Sequence, residues 1–132
     1  MQCYLITDRR RLFREGEPYT EATAIRRLVA LAQFAAKKGI NYLQLREKDW
    51  SARQLTEVAA AMTAVLAGTR TRLLVNDRFD VALAARAHGV HLTTRSLPAK
   101  IVRQCVPSGF LIAVSTHNRR EIAEAEGFAD FA

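Results

Sequence analysis

Cysteine is scarce, with 2 in 132 residues. Cys3 and Cys105 do not form a metal-ligand pair by spacing, and a chain of this length needs no disulfide scaffold. Both are expected to be reduced. Long apolar runs are absent, and no stretch is long enough to span a bilayer. The N-terminal Met1-Gln2-Cys3-Tyr4-Leu5-Ile6-Thr7-Asp8 has no basic segment leading into a long apolar core, so it does not read as a signal peptide. A cytoplasmic location without a membrane partner is the expectation. Basic residues are numerous but form no block. They fall at Arg9-Arg10-Arg11, Arg26-Arg27, Lys37-Lys38, Arg70, Arg72 and Arg119-Arg120. That scatter argues against a nucleic-acid surface. His88 and His91 have no companions at zinc spacing.

What is present is an ordinary globular balance, 49% hydrophobic and 25% charged. The length suits one domain with a sizeable core. The net charge of +7 would suit phosphorylated small substrates as well as a nucleic acid.

Hydrophobic periodicity divides the chain into alternating strands and helices. Tyr4 to Thr7 reads as a short buried strand, and Arg9 to Thr20 as a charged loop. Ile25, Leu28, Val29, Leu31, Ala32 and Ala35 follow a helical period that stops at Gly39. Ile40 to Leu45 is the second strand. Ser51 with Gln54 makes a capping box for a helix ending at Gly68. Strands then open near Arg72, Gly89 and Phe110. Short helices follow over Phe79 to Ala87, Leu97 to Val106 with Pro98 in its first turn, and Arg119 to Glu126. Ala129-Asp130-Phe131-Ala132 reads as the start of a sixth strand. This alternation implies an α/β fold with parallel strands and crossover helices. Units of roughly twenty residues fit the compact end of (β/α)8 barrels. A doubly wound sheet is the competing architecture. Thr7-Asp8-Arg9-Arg10 has no glycine, so the phosphate fingerprint of a nucleotide-binding version is missing.

The stretch Leu43-Gln44-Leu45-Arg46-Glu47-Lys48-Asp49 organises the rest. Strand alternation sends Gln44, Arg46 and Lys48 to one face and Leu45 and Glu47 to the other. An amide and two cations at the mouth of a strand make a seat for a polyanion. Polar groups recur at the later strand ends: Asn76-Asp77, Thr93 to Ser96, and Ser115 with His117. In barrels and open α/β sheets this edge is where sites are built. Plainer roles stand beside these. Asp77 would also serve as N-cap of the helix near Phe79. His91 would be a hydrogen-bonded core or rim histidine, and His117 would orient the turn into the last helix.

In order and spacing, Tyr4-Leu5-Ile6-Thr7-Asp8, Gln44-Leu45-Arg46-Glu47-Lys48-Asp49, Leu74-Val75-Asn76-Asp77-Arg78, Gly89-Val90-His91-Leu92 and Val114-Ser115-Thr116-His117 resemble the thiamine phosphate synthases and the related thiazole tautomerases. The resemblance implies a (β/α)8 TIM barrel of about 200 residues. Residues 1–132 would be the N-terminal portion of that single domain, five units and the edge of a sixth. Such a half-barrel would leave unpaired strand edges, which invites self-association.

The implied reaction joins a pyrimidine methyl diphosphate to a thiazole phosphate and releases pyrophosphate. Arg46 and Lys48 match positions that stabilise the departing diphosphate. Gln44, Asn76 and Ser115 match substrate contacts, and Asp77 matches a Mg²⁺ ligand. The chain departs from the synthase pattern after the fourth strand. Thr93-Thr94-Arg95-Ser96 places Ser96 where a second Mg²⁺ carboxylate is usual, and Arg95 adds a positive charge nearby. The departure raises a second reading, a metal-independent tautomerase in which His117 moves a proton. An inactive truncated barrel is the third.

Overall fold

The computed structural model describes residues 1–132. Five strands form one sheet: β1 (Tyr4–Ile6), β2 (Tyr42–Leu45), β3 (Arg72–Asn76), β4 (Gly89–Leu92) and β5 (Leu111–Val114). They lie in chain order, and every neighbouring pair is parallel. Five helices connect or follow them: α1 (Glu21–Lys37), α2 (Ala52–Leu66), α3 (Phe79–Ala84), α4 (Ala99–Cys105) and α5 (Arg119–Ala125). A sequential order excludes the doubly wound alternative, in which the strand order reverses at a switch point. This is the arc of a (β/α) barrel.

Local chemistry accounts for the element ends. The Thr20 hydroxyl accepts from the Thr23 N–H at the start of α1. Ser51 and Gln54 form the expected reciprocal capping box at α2. Gly39 ends α1 at φ 70°, a left-handed conformation that glycine enters without steric cost. The charged segment after β1 is more ordered than a loop. Asp8 caps a 3-10 turn over Arg9–Leu12 by accepting from the Arg10 N–H. Most expected boundaries shrink by a residue or two, as fraying ends do. Phe131 makes an isolated parallel bridge to Ala113, where a sixth strand was expected to begin.

Side chains alternate across the sheet. Leu43, Leu45, Leu73, Val75, Val90, Leu92, Ile112 and Val114 belong to one buried cluster with Leu28, Val58, Met62, Val81 and Val102 of the helices. Strands covered by helices on that face bury nearly every apolar residue there. The opposite face carries Tyr4, Gln44, Asn76, His91 and Phe131. Phe131 packs 4.7 Å from the Tyr42 ring, and Tyr42 lies 5.8 Å from Tyr4. Both cysteines are free thiols, and both are exposed. No helix is long and apolar enough to cross a membrane.

Gly89 of β4 pairs with Leu111 of β5 and leaves no room for a side chain. A Cβ there would lie 2.2 Å from the Leu111 carbonyl oxygen and 2.6 Å from the Leu111 Cβ. Backbone cannot yield as a flexible side chain can. Gly89→Ala is therefore expected to destabilise the chain by about 1–3 kcal/mol, read as a lower urea midpoint. Unchanged stability would mean that β4 and β5 separate freely.

Candidate functional site

The loop after β2 is held from below by Arg9. Strand alternation sends Glu47 inward, and its carboxylate meets three donors. Thr7 Oγ1 donates to Glu47 Oε2 at 2.5 Å, the Arg9 N–H to Oε1 at 3.0 Å, and Arg9 Nη1 to Oε1 at 3.1 Å. The Arg9 guanidinium also makes a bidentate fork on Asp49, both contacts at 2.6 Å. Its Nε donates to the Tyr19 hydroxyl at 2.7 Å, and its plane lies 4.6 Å from the Trp50 ring. Arg9 is 4% exposed and Glu47 is 5% exposed. A buried pair of this kind persists because further hydrogen bonds share the load on both charged groups. Thr7 completes the frame by accepting from the Arg46 N–H at 3.0 Å. Glu47 therefore pairs with Arg9, 38 residues away, and its neighbour Arg46 is left free.

That frame presents the charged rim. A cavity of about 360 Å³ is lined by Lys48, Asn76, Asp77, Arg78, Thr93 and Arg95, with Leu45, Glu47, Trp50 and Leu55 as its inner wall. A second cavity of about 380 Å³ lies over the open sheet face, lined by Tyr4, Gln44, Arg46, Asn76, His91, Ser115 and Phe131 among others. Asn76 and Thr93 line both. None of the chain's ion pairs includes Arg46, Lys48 or Arg95. Arg78 is paired with Asp80 at 2.6 Å, which keeps its charge oriented beside the rim. The buried Asn76 Oδ1 has no hydrogen-bond partner. A buried acceptor left unpaired costs about 1–3 kcal/mol.

Asp77 departs from its plainer expectation. It does not cap the following helix; Arg78 occupies the N-cap position and makes no side-chain bond there. Asp77 instead sits at φ 63°, a strained conformation for a residue with a side chain. Asp77 lines the first cavity together with Lys48 and Arg95.

Six of the expected residues thus gather at the rim and the open face: Gln44, Arg46, Lys48, Asn76, Asp77 and Ser115. His117 does not join them. It is exposed, its N–H donates to Glu121 Oε2 at 2.6 Å, and its ring lies 3.3 Å from the same oxygen. This is the turn-orienting role. Ser96 turns back on its own loop, accepting from the Thr93 N–H at 2.9 Å. His91 is satisfied at both nitrogens, by Tyr4 and by Ser115. No group of three or more His, Cys, Asp or Glu side chains is arranged to hold a metal ion. Sequence reading missed Arg9 and Tyr4. Arg9 looked like one of three loop arginines, and its partners lie about forty residues on.

The Arg9 cluster makes two predictions. Arg9→Met leaves Glu47 buried without its cation, held only by Thr7 and the backbone N–H, so a loss of about 3–5 kcal/mol is expected in urea unfolding; a loss below about 1 kcal/mol would mean that the Glu47 charge is not held by the Arg9 guanidinium. The second concerns acid. Arg9 holds the Asp49 carboxyl well below the usual carboxylate range, and Arg27 holds Glu17 down to about 2. Carboxyls lowered by folding contribute stability above their unfolded pKa of about 4, and that stability is lost as pH falls through the folded values. The melting temperature should stay level from about pH 7 to 5 and drop below about pH 4. Asp49→Asn should lower the plateau and flatten the acid limb.

Comparison with known proteins agrees with this geometry. The family model for thiamine monophosphate synthase matches residues 3–132. A relative from Geobacter sulfurreducens is 43% identical over 122 residues, spanning 92% of this chain and 52% of the relative. The thiamine-phosphate synthase of Vibrio parahaemolyticus is 39% identical over 92 residues, spanning 70% of this chain and 45% of that one. Among solved structures, thiamine phosphate pyrophosphorylase from Pyrococcus furiosus superposes with a TM-score of 0.78 at 28% identity, covering 99% of this chain and 58% of that one. The chain therefore spans about half the length of the proteins it matches. With a family model matching nearly all of its length, this chain of sequential parallel strands belongs to the thiamine monophosphate synthase family.

Proposed function

We propose that this chain carries the diphosphate-binding half of a thiamine phosphate synthase site, and that residues 1–132 are the first five units of one barrel domain. The reaction joins hydroxymethylpyrimidine diphosphate to thiazole phosphate. The bond between the pyrimidine methylene carbon and the diphosphate oxygen breaks, and its electron pair leaves with pyrophosphate. The thiazole nitrogen lone pair then forms the new C–N bond. The observation that carries this reading is the set of free cations, Arg46, Lys48 and Arg95, on adjoining cavities that share Asn76.

Each residue has a distinct task. Negative charge grows on the diphosphate as it departs, so cations fixed beforehand stabilise the transition state more than the ground state. Arg46 offers a planar fork to two phosphate oxygens, and Lys48 adds a compact point charge. Arg95 supplies a third positive charge. Gln44 and Asn76 place amides on the sheet side, where they orient the pyrimidine and the first phosphate. The Arg9 frame keeps the β2 loop from relaxing as charge moves.

The residues fit Mg²⁺ as a companion of the substrate. Mg²⁺ typically takes one or two carboxylates and completes its shell with water and phosphate oxygens. Asp77 is one such carboxylate, takes no helix-capping role, and belongs to the cavity lining. When bound, the ion would neutralise charge on the diphosphate. With Ser96 turned into its own loop and Arg95 on the rim, its hold on the empty protein should be weak. The tautomerase reading depends on His117, which lines neither of these two cavities and is engaged by Glu121.

Titration calorimetry with inorganic pyrophosphate tests the proposal. Arg46→Ala should weaken binding by about 10- to 100-fold, as hydrogen bonds to charged groups contribute about 1.5–3 kcal/mol. Asp77→Asn should remove the gain that Mg²⁺ gives. Pyrophosphate binding that ignores both substitutions would refute the assignment. Thiamine phosphate formation by the protein containing this chain is the direct assay.

A further inference from the structure

Four polar side chains from four strands or strand ends make one hydrogen-bonded line across the open sheet face. Gln44 Nε2 donates to the Tyr4 hydroxyl at 3.0 Å. That hydroxyl lies 2.6 Å from His91 Nδ1, and His91 Nε2 lies 2.7 Å from Ser115 Oγ. Each inner link can run in either direction, because a phenol, a neutral imidazole and a serine hydroxyl all donate and accept. The direction is decided at the Gln44 end. An amide nitrogen only donates. The Tyr4 oxygen accepts there, and its proton has one other partner, His91 Nδ1.

A neutral imidazole that accepts at Nδ1 carries its proton on Nε2. With Nδ1 accepting from Tyr4, the His91 ring is in this neutral form. Ser115 Oγ therefore accepts from His91. Its own proton is left to point into the cavity that Ser115 shares with Arg46 and Asn76. In the reversed line Ser115 would spend its proton on His91 and turn lone pairs toward the cavity. A phosphoryl oxygen is attracted in the first case and repelled in the second.

We propose that Tyr4 and His91 are positioning residues that commit Ser115 to donating a hydrogen bond to a phosphoryl oxygen in the open-face cavity, with Gln44 setting the direction. The ligand class rests on the diphosphate reading above, whereas the direction of the line does not, and the two are measured separately.

The direction is read from the imidazole tautomer by long-range ¹H–¹⁵N correlation on the ¹⁵N-labelled, ligand-free chain. His88 and His117 are assigned by substitution. His91 is expected as the Nε2–H form. Gln44→Glu replaces the donor with an acceptor and is expected to reverse His91 to Nδ1–H. Tyr4→Phe, which keeps the ring, should release the lock to a mixture of tautomers and weaken inorganic pyrophosphate by about threefold to tenfold, the equivalent of one hydrogen bond. In a Ser115→Ala background Tyr4→Phe should weaken it no further. An Nδ1–H His91 in the unaltered chain would overturn the proposal. So would a Tyr4→Phe effect of equal size with and without Ser115. An Nε2–H His91 in a chain that binds no pyrophosphate would remove the diphosphate reading, and with it the role given to Ser115.

Discussion

Everything in this chain depends on strands that show alternate residues to opposite sides. On one side the residues are leucine, isoleucine and valine, and helices cover them. On the other, tyrosine, glutamine, asparagine and histidine stand among a few apolar residues such as Ile6 and Phe131. A parallel sheet can be built only with crossover connections, and here each crossover is a helix that returns to the same apolar side. The polar face is therefore kept clear by topology. Polar side chains can gather there because the core that stabilises the sheet lies behind it.

The rim solves a harder problem, since cations that wait for an anion repel one another. Arg46 and Lys48 are exposed, where solvent weakens that repulsion. The intervening Glu47 and the following Asp49 are spent inward and downward on Arg9. A carboxylate at either position would otherwise neutralise the neighbouring cations. Arg9 thus serves the site without touching it: it removes negative charge from the rim and fixes the loop that carries the positive charge. The cost of burying its guanidinium is offset by two carboxylates, a phenol and an indole face.

Much of this was legible in the residues. The α/β alternation, the five strands and the capping box of α2 follow from periodicity and local hydrogen bonding, which act over a few residues. So did the gathering of Gln44, Arg46, Lys48, Asn76, Asp77 and Ser115, since all lie at or near the C-terminal ends of strands. What misled was a local role with a good precedent. Asp77 precedes a helix and looked like its cap, yet with the helix starting at Phe79 it is Arg78 that takes the N-cap position, and Asp77 lines the cavity instead. The segment after β1 looked like loose charge, but Arg9 folds it into a 3-10 turn by reaching Glu47 and Asp49.

By itself the sequence determined the order of elements, which face of each strand is apolar, and which residues stand at the rim. Those are properties of period and neighbour, set by sterics along a few bonds. Only the tertiary structure decided who pairs with whom. Tyr4 and His91 are 87 positions apart, and His91 and Ser115 are 24 apart. Arg9 chose Glu47 and Asp49 over nearer carboxylates because the parallel register of β1 on β2 carries the ends of both strands to the same edge. Register is a long-range quantity, and the direction of a hydrogen-bonded line is longer still. Each depends on groups that meet only once the sheet has closed around them.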